Sequence, residues 1–138
     1  MTKKQREYIR MKFNNKCAYC GTELLKGWHV DELLPVGRSW RDKKDKQGNY
    51  VRDNYGRFIK EKYIKHPENF DIVNQMPACS SCNINKHDLS LEQFRSLIQG
   101  FMKHLNELNT QYKIAKRYGL VKEDTKPIVF YFEKNIKT

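Results

Sequence analysis

Apolar positions recur every three or four residues in three parts of the chain, which is the spacing of one face of an α-helix. These parts cover residues 4–14, 91–105 and 110–118, and Ser90 with Gln93 forms a capping box before the second. The apolar face of that second, strongest helix consists of Leu91, Phe94, Leu97, Ile98, Phe101, Met102 and Leu105. We expect this face to pack on the core, although contact with a second subunit would use the same pattern.

Two short apolar segments have the character of strands. The segment WHVDELLPV, residues 28–36, is predicted to be extended up to Pro35, because proline cannot continue a hydrogen-bonded ladder. The segment PIVFYF, residues 127–132, is apolar and β-branched, so we expect a strand docked on the core. No internal repeat or low-complexity linker separates these elements, and residues 1–138 are predicted to form one domain.

Residues 38–65 differ in character from the rest of the chain. They contain ten lysines and arginines against four acidic residues, with aromatic residues interspersed, and carry +6 of the total charge of +11. The turn signals QGN and NYG within the segment predict an inserted hairpin or loop.

A net charge of +11 over 138 residues favours a polyanionic partner, and nucleic acid is the most common one. Solubility alone is the less specific interpretation of the same charge. No apolar run approaches the roughly 20 residues that cross a bilayer, so no membrane partner is expected. The first ten residues lack the apolar core of a secretory signal, and we expect a cytoplasmic protein with reduced cysteines.

All four cysteines occur in two C-x2-C pairs, Cys17 with Cys20 and Cys79 with Cys82. Two residues between cysteines allow a tight turn to direct both sulfurs at one ion, and two such knuckles complete the tetrahedral shell that Zn²⁺ prefers. A closed four-sulfur shell leaves no open position for a substrate. The predicted zinc is therefore structural.

The residues between and beside the knuckles resemble the HNH endonucleases (His-Asn-His, or ββα-metal nucleases) of the type bracketed by two zinc knuckles. That family has D-H-I-I-P, then an asparagine five residues before the second C-x2-C, then asparagine or histidine directly after it. Here Asp31 to Pro35 read DELLP, Asn74 lies five residues before Cys79, and Asn83 follows Cys82. The matching elements span residues 17–86, about half of the chain.

The resemblance implies an α+β fold with a ββα-metal core over residues 17–87, an N-terminal helix and an extension of helices and a strand over residues 88–138. It implies a metal-dependent DNA endonuclease in which Asp31 and Asn83 hold one catalytic Mg²⁺ or Mn²⁺ through oxygen atoms. Asn74 would steady the loop and orient the base. Contacts to nucleic acid are expected from Arg38, Arg41, Lys43, Lys44, Lys46 and Lys86.

Glu32 departs from the family pattern, which has the histidine that acts as general base at this position. A glutamate can accept a proton from water at neutral pH, but it adds negative charge beside Asp31 and beside an anionic phosphodiester. Three interpretations stay open: Glu32 is a working base, it marks a naturally inactive member, or it replaces the histidine of an enzyme inactivated on purpose. His29 and His87 are the histidines placed closest to the expected metal.

The principal alternative function is a catalytically inactive HNH or zinc-ribbon protein that only binds nucleic acid. This alternative explains the cysteines and the charge, but it leaves the register of Asp31, Pro35, Asn74 and Asn83 without a reason. An inhibitor or adaptor that acts on another protein is a third possibility, supported only by Glu32.

Overall fold

In the computed structural model, residues 1–135 are described. The helices are α1 (Lys3–Met11), α2 (Ser80–Lys86), α3 (Leu91–Leu108), α4 (Thr110–Arg117) and α5 (Tyr131–Lys134). The strands are β1 (His29–Glu32), β2 (Arg38–Asp42), β3 (Lys60–Ile64) and β4 (Gln75–Ala78), and two short 3-10 turns precede β4 at Pro67–Phe70 and Ile72–Asn74.

Strands β1 and β4 form an antiparallel pair, with His29 opposite Ala78 and Glu32 opposite Gln75. Helix α2 begins two residues after β4 ends, so β1, β4 and α2 make a ββα unit. The predicted α+β class is confirmed, and the predicted strand before Pro35 is present as β1. Among residues 1–135, no helix is both long enough and apolar enough to cross a bilayer.

The predicted helices are present, with small differences at their ends. Helix α1 begins one residue before the predicted start and ends three residues before the predicted end. It ends early because Asn14 and Asn15 adopt left-handed backbone angles with φ of 51° and 62°. The capping box of Ser90 and Gln93 is confirmed at the start of α3. Residues 38–65, predicted as a hairpin or loop, form a hairpin with β2 and β3 as its stem and Arg38 opposite Ile64.

The core is built around an aromatic cluster to which the C-terminal segment contributes two members. The ring of Phe94 in α3 stacks on Phe130 at 5.5 Å between centroids, and Phe130 stacks on Phe132 at 6.0 Å. Tyr19, from the first cysteine knuckle, meets Phe94 edge-on at 5.6 Å. This cluster joins the C-terminal segment and α3 to the first knuckle.

The prediction of a strand over residues 127–132 is wrong, although the segment does dock on the core. Its backbone finds no sheet edge; instead, the N–H groups of Tyr131 and Phe132 donate to the carbonyls of Tyr19 and Ala18 at 2.9 and 2.8 Å. The chain then turns into the short helix α5. The apolar and β-branched residues correctly predict that the segment is buried. They do not indicate its hydrogen-bond partners, which lie more than 100 residues away in the sequence.

Candidate metal centre and active site

The two C-x2-C pairs bring four sulfur atoms together at one place. All four Sγ atoms lie within 4.8 Å of one another, and those of Cys20 and Cys79 are 3.8 Å apart. Four thiolates arranged tetrahedrally around an ion at about 2.3 Å would be separated by about 3.8 Å, so the cluster has the dimensions of a zinc site. The chemistry of four sulfur donors and their spacing both suit such an ion.

Local structure explains why each knuckle points its sulfurs inward. Gly21 follows the first pair with φ of +74°, and its N–H closes the turn onto the Cys17 carbonyl at 2.9 Å. A side chain at Gly21 would also collide with the ring of Tyr131, 2.6 Å from where a Cβ would lie. In the second pair, Cys79 is the N-cap of α2 and Cys82 lies in its first turn.

The protonation of the cluster depends on a cation. A hydrogen bond from Cys82 lowers the pKa of Cys17 to about 4, and the same interaction raises the pKa of Cys82. Burial raises the pKa of Cys20 to about 11. Several thiolates in one small volume repel each other, and a bound positive ion would offset that repulsion.

Beside this cluster, a cavity of about 520 Å³ opens between β1, the start of β2 and α2. It is lined by Asp31, Glu32 and Arg38 from one side and by Asn83 and the end of α2 from the other. Three of the four predicted catalytic residues therefore share one cavity. The lining also includes His87 and Asp88, which directly follow α2 and have side chains able to bind a metal ion.

Asp31 is buried and partly engaged by its neighbours. Its Oδ2 accepts a hydrogen bond from the Tyr19 hydroxyl and forms an ion pair with the Lys86 ammonium at 3.1 Å. Burial raises the pKa of Asp31, and the hydrogen bond from Tyr19 and the positive charge of Lys86 oppose that effect. Within residues 1–135 both of these contacts end on Oδ2, which leaves Oδ1 as the oxygen available to an ion.

The expectation that Lys86 contacts nucleic acid is corrected by the structure. Lys86 is fully buried at 0% exposure, and its Nζ donates to the Glu32 carbonyl at 2.8 Å as well as pairing with Asp31. A buried ammonium needs such partners, because desolvation of an unpaired charge is very costly. Lys86 therefore ties α2 to β1 and has no surface from which to reach a phosphate.

The carboxylate of Glu32 forms an ion pair with Arg38. The Arg38 Nη2 lies 2.9 Å from Oε1, and the Glu32 side chain keeps 21% of its surface exposed. Arg38 itself is exposed and stacks over the ring of Phe70 at 5.7 Å. The arginine thus neutralises the glutamate at the mouth of the cavity. Arg38 was expected to contact nucleic acid, and no feature of the sequence indicates this ion pair.

Asn74 holds the loop that follows Glu32. Its side chain accepts a hydrogen bond from the N–H of Leu34 at 2.9 Å and donates one to the carbonyl of Leu34 at 2.8 Å. A further bond, from the same amide to the Asn69 carbonyl, anchors it at 2.8 Å. Asn74 does not line the cavity, so its contribution to the site is positional.

The remaining candidates divide between the cavity and the surface. His87 lies one helical turn after Asn83, and its ring contacts the Asp88 carboxylate at 2.7 Å. His29 is exposed at the start of β1 and does not line the cavity. The basic residues expected to contact nucleic acid, Lys86 apart, are all exposed: Arg38, Arg41, Lys43, Lys44 and Lys46.

Replacing Lys86 with methionine should destabilise the protein strongly, because the buried Asp31 carboxylate loses its counter-charge. Breaking a buried pair by removing one partner costs about 3–5 kcal/mol. The measurement is urea unfolding followed by circular dichroism. The double variant Lys86→Met/Asp31→Asn removes both charges and should recover part of the loss. Equal stability of the single variant and the parent would contradict the role of the pair.

Comparison with known proteins gives one informative relative. Over 82 residues, the chain is 34% identical to the "SPbeta prophage-derived putative HNH endonuclease YoqL" of Bacillus subtilis (strain 168). The aligned part covers 59% of this chain and spans about a quarter of the relative's length, 27%. No family model matches the chain, and no solved structure matches it. The similarity supports a relationship with the HNH endonucleases over the aligned part.

Proposed function

We propose that this chain is a metal-dependent HNH endonuclease that hydrolyses phosphodiester bonds in DNA. The observation that carries the proposal is the shared cavity, in which β1 and α2 bring Asp31, Glu32 and Asn83 together beside the cysteine cluster. The name of the relative in Bacillus subtilis points to the same chemistry. The charge of +11 suits a polyanionic substrate.

The divalent cation would be held by Asp31 through Oδ1 and by Asn83 through its amide oxygen. Both are hard oxygen donors of the kind that Mg²⁺ and Mn²⁺ prefer. When bound, such an ion supplies positive charge to the phosphate under attack and lowers the pKa of a coordinated water. Tyr19 and Lys86 fix the orientation of the Asp31 carboxylate through its other oxygen.

Glu32 would act as the general base that takes a proton from the attacking water. Lys86 holds the backbone carbonyl of Glu32 and Asn74 holds the next loop, so the backbone that carries the glutamate is held on both sides. The objection to a glutamate here is its charge beside an anionic phosphodiester. The ion pair with Arg38 answers that objection, because the guanidinium neutralises the carboxylate and can itself turn towards a phosphate oxygen.

The decisive experiment is nicking of supercoiled plasmid with Mg²⁺ or Mn²⁺. Glu32→Gln keeps the size of the side chain but removes its basicity, so nicking should slow on the order of 10²–10⁴-fold. Asn83→Ala should reduce nicking through loss of the metal. Glu107→Gln, an exposed glutamate on α3, is the matched control and should nick like the parent.

The outcomes separate the interpretations of Glu32. Nicking by the parent that Glu32→Gln abolishes supports a working base. Nicking only by Glu32→His shows an inactive site on an intact scaffold. If no form nicks DNA but all bind it, the nuclease proposal is wrong and the chain is a nucleic-acid-binding protein.

The cysteine cluster would hold one structural Zn²⁺, so the purified protein should contain one zinc per chain by elemental analysis. Cys20→Ser replaces one ligand at an exposed position; it should lose most of the zinc and unfold at a lower temperature. A chelator should have the same effect on the parent, and added Zn²⁺ should reverse it. Protein that folds equally well at much less than one zinc per chain would refute the assignment.

A further inference from the structure

The hairpin insert contains a repeat of eight residues, which corrects the expectation that the chain has no internal repeat. Residues 43–50 and 51–58 each have a cation, an aspartate, a glycine and an aromatic residue at equivalent positions. The Asp45 carboxylate accepts the N–H groups of Gln47 and Asn49, both at 2.9 Å. The Asp53 carboxylate does the same two and four residues later, at 2.8 and 3.0 Å.

The two units are joined at a closed ring of backbone hydrogen bonds. Val51 donates to Lys43 at 3.0 Å, Ile59 donates to Val51 at 3.0 Å, and Lys43 donates to Ile59 at 2.8 Å. The ring connects both loops to the stem of β2 and β3. Each loop is therefore held at its base by backbone contacts and at its tip by an aspartate, which gives the surface a defined shape.

In each unit the aromatic residue lies under the cation. The Nζ of Lys44 is 4.8 Å from the ring centroid of Tyr50, and the guanidinium carbon of Arg52 is 3.9 Å from that of Phe58. The stem repeats this arrangement, with Lys62 over Trp40 at 5.2 Å. Such contacts limit the freedom of long basic side chains, which lowers the entropy lost when they bind.

Each acidic residue of the insert binds either backbone N–H groups or a cation of the insert, whereas most of the insert's cations have no ion-pair partner in the described part of the chain. Asp45 and Asp53 bind the loop backbones, Asp42 pairs with Lys60, and Glu61 pairs with Arg41. Among residues 1–135, the insert cations outside any ion pair are Lys43, Lys44, Lys46, Arg52, Lys62 and Lys65. The positive charge of this surface is therefore available to a polyanion.

We infer that the insert is a duplex-DNA-binding lobe in which two copies of one loop present cations, ordered by aromatic rings, to the phosphate backbone. A ring whose face is covered by a cation cannot also stack on a base, and base stacking is what single-strand binding needs. The surface is therefore better suited to contacts with the phosphates of a duplex. The lobe adjoins the cavity, because β2 begins at Arg38. This inference rests on the proposed function only in taking DNA as the substrate.

The test measures binding to a fluorescent 30-base-pair duplex by anisotropy over a series of salt concentrations. No divalent ion is added, so the result does not depend on cutting. Lys44→Gln/Arg52→Gln removes one ordered cation from each loop. We expect affinity on the order of tenfold lower at 0.15 M salt, and a salt slope shallower by about 1.8. The control Lys103→Gln/Lys113→Gln removes the same charge from α3 and α4 and should bind like the parent.

Two further variants keep the inference open to refutation if one pair fails to fold. Lys44→Arg/Arg52→Lys preserves the charge and should bind like the parent, whereas Tyr50→Leu/Phe58→Leu preserves charge but frees the cations and should weaken binding. Unchanged affinity of the glutamine pair, or an equal loss in the control pair, overturns the inference. Tighter binding of the parent to the single strand than to the duplex overturns it as well. A parent that binds duplex through this lobe yet never nicks it would instead contradict the proposed activity.

Discussion

The arrangement of the candidate site depends on one buried charge, the ammonium of Lys86. An ammonium group with no exposed surface needs protein groups in place of its hydration water, and here Asp31 and the Glu32 carbonyl take that place. Both belong to β1, so the interaction sets the position of α2 against that strand. It also engages Oδ2 of Asp31 and anchors the backbone of Glu32. The cysteine cluster at the start of α2 and Lys86 at its end thus hold the same short helix from both ends.

The site has buried contacts that are costly to break and, nearer the solvent, an ion pair that can be replaced by other contacts. Asp31, Tyr19 and Lys86 are buried, and their contacts can change only at a high cost in stability. The pair of Glu32 and Arg38 lies at the mouth of the cavity, where the arginine is 60% exposed. Exposed ion pairs are worth little, so a phosphate can compete for the arginine without disturbing the fold. Arg38 lines the cavity and is also the first residue of the insert's stem, so the charged insert adjoins the cavity.

The sequence predicted what local spacing determines. The two C-x2-C pairs, Pro35 and the asparagines predicted the ββα unit and three residues that line its cavity, Asp31, Glu32 and Asn83. Each of these signals lies at a short, defined distance from a strand end or a knuckle. The periodicity of α3 and its capping box were equally local. The eight-residue repeat could also have been found, since Asp45 and Gly48 recur eight positions later as Asp53 and Gly56.

What the sequence did not predict depends on partners far along the chain. The C-terminal strand was expected because its residues favour strands, but its backbone bonds to the knuckle around Tyr19 instead. Lys86 was assigned to the surface because lysine is rarely buried. Its position four residues after Cys82, on the inward face of α2, was the signal for the opposite result. Tyr19 lies between Cys17 and Cys20, and nothing in the C-x2-C spacing indicates its hydrogen bond to Asp31.

We propose above all that Asp31 and Asn83 bind one divalent cation in the cavity. Titration of Mn²⁺ into the zinc-loaded protein, followed by electron paramagnetic resonance, tests this claim most directly. The structure leads us to expect one Mn²⁺ per chain, with binding weakened at least about tenfold in Asn83→Ala at unchanged zinc content. Binding of Mn²⁺ that is as tight in Asn83→Ala as in the parent, or absent from both, would contradict the account.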